Sequence, residues 1–143
     1  MTTQEHLVYP SVIALLKITT LFAKRIRGTG FEVQSHEELK ERLRRIVREY
    51  CRNAWNDERL PLYLFDSNWN SPQLEHDLDS ILKEQLITLS ELKISEMTMK
   101  FLENYEKMGI FSDYLIENIE KIMDKILEEM MKEANLNSSK TPH

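Results

Sequence analysis

Residues 35–55 read SHEELKERLRRIVREYCRNAW, and this stretch decides the fold class. Ser35 and Glu38 have the spacing of a capping box, in which the serine closes free amides and the glutamate reaches back. Apolar residues then recur at three- and four-residue intervals, which places them on one face of a helix. They are Leu39, Leu43, Ile46, Val47, Tyr50, Cys51, Ala54 and Trp55. The stretch therefore predicts a long amphipathic helix with one buried face.

Further helical patterns flank this stretch. An apolar run begins after Pro10 and stops at a break that contains Gly28 and Gly30. Ser71 and Pro72 open another pattern, and the last one starts near Asp113. The chain has only 3 glycines in 143 residues, where average usage would give about ten. This leaves little material for the turns of a many-stranded β fold.

The predicted fold is all-α, a single-domain antiparallel bundle of four to five helices. The bundle domain spans residues 1–135, and residues 136–143 are expected to form a disordered tail. Trp55 and the segment 60–69 are expected to close one end of the bundle, because that segment is too apolar for a free linker. Residues 88–96 leave open whether the chain turns there or continues as one helix.

The sequence also bears on the compartment. Cys51 is the only cysteine, so an intramolecular disulfide is impossible and a reducing compartment is expected. The apolar stretch from Val12 to Phe22 lacks the basic region and the cleavage site of a signal peptide. Lys17 interrupts this stretch, which is also shorter than the roughly 20 residues that span a bilayer. We therefore expect a cytoplasmic protein with no membrane partner.

Charge is distributed unevenly along the chain, whose formal net charge is −5. Residues 1–60 hold 11 basic and 8 acidic residues, a net of +3, whereas residues 61–143 hold 8 basic and 16 acidic residues, a net of −8. Every arginine lies in the first part. The predicted site for nucleic acid or an acidic partner consists of Arg25, Arg27, Lys40, Arg44, Arg48 and Arg52.

Two interpretations of these basic residues stay open. Four of them recur every fourth residue and are here called the arginine row: Lys40, Arg44, Arg48 and Arg52. On a helix they lie about 6 Å apart along the axis, close to the phosphate spacing of a nucleic-acid strand. An outward row would bind an RNA or DNA backbone or an acidic protein. An inward row would pair with the acidic helices of residues 61–143. The overall acidic charge of the chain weakens nonspecific nucleic-acid binding.

Residues 89–98 read LSELKISEMT and lead through a predicted helix to Gly109 and Ile110. This segment resembles the recognition segment of winged-helix regulators, in which a Leu-Ser-Glu-Leu opening precedes a serine-capped helix. The resemblance implies a DNA-binding helix-turn-helix in which Thr98, Met99 or Lys100 contacts the bases. The segment departs from the pattern in its short first helix, in the acidic residues of its second helix, and in the helix that replaces the β-wing.

Two features suggest contacts with proteins. Trp69 is the predicted partner contact, because tryptophan is enriched at interface hot spots. The last helical pattern carries a long apolar stripe from Ile116 to Met130. That stripe is interpreted as bundle core or, alternatively, as a seam for self-association through the C-terminal helix.

No pattern in the sequence predicts catalysis. The four histidines are scattered, and none belongs to a spacing typical of a metal site. Cys51 lies on the apolar face of its helix, where a thiol behaves as a small hydrophobe. A glycine-rich phosphate loop is missing from the sequence. We expect a protein that is not an enzyme and that uses no metal and no cofactor.

Three functional hypotheses follow, in this order. The first is a non-enzymatic small helical subunit or adaptor of a macromolecular complex, including ribonucleoprotein complexes, whose arginine-rich face contacts a nucleic-acid backbone or an acidic partner. The second is a purely protein-binding regulator with internally paired arginines. The third is a helix-turn-helix DNA-binding regulator. The expected partners are other proteins of a complex and, in the first hypothesis, RNA or DNA backbone as well.

Overall fold

The computed structural model of the protein describes residues 10–30, 33, 35–56, 62–84, 86–88, 93–108 and 113–140. These ranges contain five helices, which are α1 (Pro10–Thr29), α2 (His36–Asn56), α3 (Pro72–Glu84), α4 (Glu96–Lys107) and α5 (Asp113–Lys140). They also contain two short strands, β1 (Leu86–Thr88) and β2 (Lys93–Ile94). The predicted all-α class is confirmed.

Serine side chains mark the start of three helices. The amide of Glu38 donates to Ser35 Oγ at 3.1 Å ahead of α2, as the capping pattern predicts. The amide of Leu74 donates to Ser71 Oγ at 3.3 Å ahead of α3. Ser95 caps α4 in the same way, 3.2 Å from the amide three residues further on. Each hydroxyl satisfies an amide that the first turn of a helix leaves without a partner.

Helix α1 contacts each of the other four described helices. Its buried apolar residues cover more than one face and are Val12, Ile13, Ala14, Leu15, Leu16, Ile18, Phe22, Ala23 and Ile26. Thr19 and Thr20 are buried among them, and their hydroxyls donate to the carbonyls of Leu15 and Leu16 at 2.8 and 2.7 Å. These polar side chains are therefore satisfied inside the core.

The other helices contribute apolar stripes to the same core. From α2 and α3 come Leu39, Leu43, Ile46, Val47, Tyr50, Cys51, Leu74, Leu78, Ile81 and Leu82. From α5 come Ile119, Met123, Ile126, Leu127 and Met130. Helix α4 has only Thr98 and Leu102 as buried residues. The stripe of α5 is thus part of the molecule's own core, which is the first of the two interpretations given above.

The chain changes from helix to strand after α3. Helix α3 ends at Glu84, and β1 pairs antiparallel with β2, with Leu86 opposite Ile94. The question of whether residues 88–96 turn or continue a helix is answered by this small sheet, although residues 89–92 lie outside the described part.

Two predicted features lie at the margins of the described chain. Helix α5 extends to Lys140, past residue 136, where a disordered tail was expected to begin, and residues 141–143 lie outside the described ranges. The side chain of Trp55 and residues 57–61 also lie outside them. Within the described ranges, no helix combines the length and the apolarity needed to cross a bilayer.

Candidate binding surface

The arginine row of α2 meets acidic side chains of α3. Arg44 donates twice to Glu75, from Nε to Oε2 at 2.8 Å and from Nη2 to Oε1 at 2.6 Å. It also contacts Glu41 on its own helix. Lys40 Nζ lies 2.9 Å from Asp79 Oδ1 and 3.6 Å from Glu75 Oε1. Two of the predicted contact residues therefore take part in ion pairs between helices.

These ion pairs change the acidity of their members. The hydrogen bond from Arg44 lowers the pKa of Glu75, and the hydrogen bond from Lys40 lowers the pKa of Asp79. The same bonds raise the pKa of Arg44 and of Lys40. Each group is thus held in its charged form, which is what a structural ion pair requires.

Arg25, at the end of α1, is paired with α5 in a similar way. Its Nη2 donates to Glu120 Oε2 at 2.7 Å, and its Nη1 contacts Asp124. Glu120 and Asp124 are one turn apart on α5, so the guanidinium bridges two successive turns of that helix. A third predicted contact residue therefore joins two helices.

Two arginines outside the predicted site complete the pairing with α5. Arg45 Nη1 lies 2.5 Å from Glu129 Oε2, and this hydrogen bond lowers the pKa of the Glu129 carboxyl. Arg42 Nη2 lies 3.5 Å from Glu133 Oε2. Each of these two ion pairs joins α2 to α5.

Three of the predicted contact residues have no acidic partner among the residues that the structure describes. Arg27 is exposed at the end of α1. Arg48 is half-buried, and its Nε is buried without a hydrogen-bond partner. Arg52 is exposed, and its guanidinium carbon lies 4.6 Å from the centroid of the Trp69 ring. The unpaired part of the arginine row therefore lies beside the loop that precedes α3.

Asp66 organises this loop. Its Oδ1 accepts the amides of Asn68 at 2.9 Å and Asn70 at 3.0 Å. Its backbone amide donates to the carbonyl of Asn70 at 2.9 Å, and its carbonyl accepts the amide of Trp69 at 3.0 Å. An aspartate that closes a turn on its own backbone in this way fixes the loop conformation.

Trp69 adopts a backbone conformation that large side chains rarely use. Its φ is +57°, in the left-handed region that costs a residue other than glycine about 1–2 kcal/mol. The ring lies 5.6 Å from the ring of Phe65, tilted by 44°, and Arg52 covers it as described above. The Asp66 turn thus holds the backbone in a strained state that presents the tryptophan ring beside α2.

An exposed apolar side chain adjoins this ring. Leu64 is 79% exposed, a high value for a leucine in a loop whose neighbours are packed. We call the group of Leu64, Phe65, Trp69 and Arg52 the Trp69 surface. Sequence reasoning singled out Trp69 and Arg52 but missed Leu64 and Phe65, which it treated as part of a loop covering the core.

Two cavities open at the Trp69 surface. One, of about 270 Å³, is lined by Cys51, Tyr63, Leu64, Phe65, Asp66, Ser67 and Trp69. The other, of about 290 Å³, includes Arg44, Arg48, Phe65, Ser71, Leu74 and Glu75 in its lining. Phe65 lines both, so an apolar cavity and a cavity with two arginines adjoin through one aromatic ring.

Buried groups near these cavities have structural partners. Tyr63 OH donates to Asp77 Oδ2 at 2.8 Å, and Gln73 Nε2 donates to Asp77 Oδ1 at 2.9 Å. Burial, with the charge of Asp77 added, raises the pKa of the Tyr63 phenol far above its ordinary value. Burial also raises the pKa of the Cys51 thiol, opposite to the change that activates a nucleophile.

In the described part of the segment that resembles winged-helix regulators, a strand lies where the first helix of a helix-turn-helix would be. That helix would have to include Lys93–Ile94, which form β2. The predicted second helix exists as α4, but Thr98 is only 3% exposed. A side chain so deeply buried does not reach a base edge.

Metal binding has no focus in the described residues, where no three His, Cys, Asp or Glu side chains are grouped so that they could hold an ion. Comparison with protein-family models, with curated proteins and with solved structures found no match.

Proposed function

We propose that the protein is a non-enzymatic helical subunit or adaptor that binds another protein, and that its basic residues serve chiefly to hold its helices together. The observation that carries the proposal is the pairing of Arg25, Lys40 and Arg44 with acids of other helices. A guanidinium committed to a carboxylate in this way has fewer donors left for a phosphate. The proposal keeps the subunit or adaptor of the first hypothesis drawn from the sequence and takes the internally paired arginines from the second.

Two further ion pairs, between α2 and α5, support an antiparallel bundle as the arrangement of the helices. Arg42 of α2 pairs with Glu133 of α5, and Arg45 pairs with Glu129. Residue numbers therefore rise along α2 while those of the partners fall along α5. The charge asymmetry along the sequence then acts as complementarity within the fold: a basic helix lies between acidic ones.

Protein contact is assigned to the Trp69 surface. Tryptophan and arginine are the residues most enriched at interface hot spots, and here Arg52 and Trp69 stack on each other. The strained backbone of Trp69 costs stability, and strain of this kind clusters at sites of function. Leu64 adds an exposed apolar side chain to the same surface.

A contact with nucleic-acid backbone is the weaker candidate. It would have to rely on Arg27, Arg48 and Arg52, because the other predicted contact residues are in ion pairs between helices. Three cations on a chain of net charge −5 supply little counterion release. The acids that surround the arginine row add repulsion to a polyanion.

Site-directed photo-crosslinking tests the proposal. A photoreactive phenylalanine analogue replaces Leu64 in one variant and Lys132 in a control variant, because Lys132 is an exposed residue of α5 far along the chain from the Trp69 surface. In an extract of the source cells we expect a discrete protein adduct from position 64 and none from position 132. Equal adducts from both positions, or an adduct of position 64 with nucleic acid, would contradict the proposal.

A further inference from the structure

Arg48 carries a charge that no acid of the described residues compensates. It is half-buried, its Nε is buried without a hydrogen-bond partner, and it has no ion pair with any residue that the structure describes. Partial burial strips water from the guanidinium, and a desolvated charge without a partner destabilises a fold. Acids are plentiful nearby, since Lys40 and Arg44 on the same helix each have one. Arg48 therefore differs from its neighbours on α2.

The Nε of Arg42 provides an internal comparison. It too is buried without a hydrogen-bond partner. The charge of Arg42 is nevertheless compensated, because its Nη2 reaches Glu133 at 3.5 Å. Of these two arginines, only Arg48 has both an unsatisfied Nε and an unpaired charge, and it lines the cavity of about 290 Å³.

The cavity beside Arg48 has the charge balance of a site for one anion. Arg44 and Glu75 both line it, but they neutralise each other through two hydrogen bonds. The positive charge left over is that of Arg48. The first turn of α3 also lines the cavity through Ser71 and Leu74, and the partial positive charge of a helix start adds to the field there.

We propose that this cavity binds the carboxylate of an acidic side chain supplied by the protein partner, with Arg48 as the group that pairs with it. The inference rests on the proposed function and names the chemistry by which the partner is recognised. A planar guanidinium with free donors matches a carboxylate in a two-point contact. A phosphate dianion would bring a second negative charge against Glu75, so a singly charged anion fits the balance better.

The apolar residues of the cavity lining indicate what lies next to the acidic side chain in the partner. Phe65 and Leu74 form part of the cavity wall, and Phe65 continues into the Trp69 surface. The partner segment therefore presents an apolar group next to its acidic side chain. The acidic group enters the cavity at Arg48, and the apolar group packs along Phe65 toward Trp69.

Nuclear magnetic resonance of the isotope-labelled protein tests the chemistry directly, because arginine Nε–Hε groups give their own signals. The probes are phenylacetate, its uncharged analogue phenylacetamide, and inorganic phosphate. We expect phenylacetate to shift the Arg48 signal in a saturable way, while the Arg42 signal stays in place and phenylacetamide has no effect. Equal shifts at Arg42 and Arg48, or equal effects of phenylacetate and phenylacetamide, would overturn the proposal. Tighter binding of phosphate would overturn the assignment to a carboxylate.

Variants separate a binding role from a structural one. Arg48→Met keeps an unbranched apolar stem and removes the guanidinium. It should weaken phenylacetate binding by about tenfold or more, while the thermal midpoint stays equal or rises. Arg27→Met is the control, because Arg27 is exposed and lies outside the cavity, and it should leave binding unchanged. A fall in the thermal midpoint of Arg48→Met with unchanged binding would show that Arg48 is merely structural.

The photo-crosslink at position 64 separates this inference from the proposed function. Arg48→Met should reduce the position-64 adduct, and free phenylacetate should compete with the adduct. If phenylacetate binds but neither treatment changes the adduct, the ligand is a free small carboxylate and the assignment to a protein side chain is wrong. If the adduct forms and phenylacetate fails to bind, this inference fails while the adaptor proposal stands.

Discussion

Replacing Arg44 with methionine removes the best-connected charge of the arginine row. Its side chain is 19% exposed and that of Glu75 is 37% exposed, so the pair is neither fully solvated nor fully buried. Exposed ion pairs contribute about 0.2–1 kcal/mol, and hydrogen bonds to charged groups about 1.5–3 kcal/mol. With two such bonds lost and Glu75 left only with Lys40 at 3.6 Å, we expect the free energy of unfolding to fall by about 1–2 kcal/mol.

Urea unfolding followed by circular dichroism measures this change, and the thermal midpoint should fall by about 3–6 °C. Arg27→Met is the matched control, since Arg27 is exposed, and it should stay within about 0.5 kcal/mol of the wild type. A double-mutant cycle with Glu75→Gln should give a coupling energy of about 1 kcal/mol. If Arg44→Met and Arg27→Met unfold alike, the arginine row does not hold α2 to α3 and the reasoning is refuted.

Three further predictions concern Glu75, Tyr63 and Cys51. Because ion pairing lowers the pKa of Glu75 below its ordinary value of 4.5, the stability it contributes is complete above that value and is lost as the pH falls through the lower folded pKa. The thermal midpoint should therefore drop from about pH 5 to pH 3, and less steeply in Glu75→Gln; parallel curves would argue against the pair. Tyr63→Phe removes a donor from buried Asp77 and should lower the free energy of unfolding by about 1–2 kcal/mol, whereas an unchanged urea midpoint would show that this hydrogen bond contributes nothing. Burial and a raised pKa should make Cys51 react slowly with iodoacetamide in the native protein and rapidly in urea, and fast native alkylation would contradict its placement in the core.

Local patterns predicted the helices, because each rests on signals that lie close together in the sequence. Ser35 and Glu38 mark a helix start whatever surrounds them, and the capping bond to Ser35 is present. The helical spacing of apolar residues likewise identified the faces of α2 and α5 that form part of the core. Each of these signals is set by residues within one helix. The sequence therefore reveals them without knowledge of how the helices pack.

The partners of the arginines could not be derived in the same way. Arg45 lies four residues from both Glu41 and Glu49 on its own helix, whereas its ion pair in the structure is with Glu129 on α5. Which acid of another helix lies nearest depends on how the helices are rotated and shifted against each other, and the sequence alone does not specify that. The uneven charge along the sequence was consistent with pairing between helices, but it was equally consistent with basic residues that face outward and bind a partner.

The sequence contained only weak signals for the loop that holds Asp66 and Trp69 and for the small sheet of β1 and β2. A left-handed backbone is typical of glycine or asparagine, so a turn near Asp66 would have been assigned that conformation at Asn68 or Asn70 rather than at Trp69. Strands as short as β1 and β2 are too brief for a period-two pattern to be recognised. The candidate site depends on this loop, which explains why Leu64 and Phe65 were missed while Trp69 was noticed for its residue type.

Fluorescence polarisation with short single-stranded RNA, single-stranded DNA and duplex DNA, at about 50 and 200 mM salt, tests most directly whether the basic residues are turned toward the fold. We predict that the wild-type protein binds none of the three at either salt concentration, and that Arg44→Met lowers stability without changing this result. Binding that weakens steeply with salt, and that Arg44→Met abolishes without loss of stability, would contradict the account.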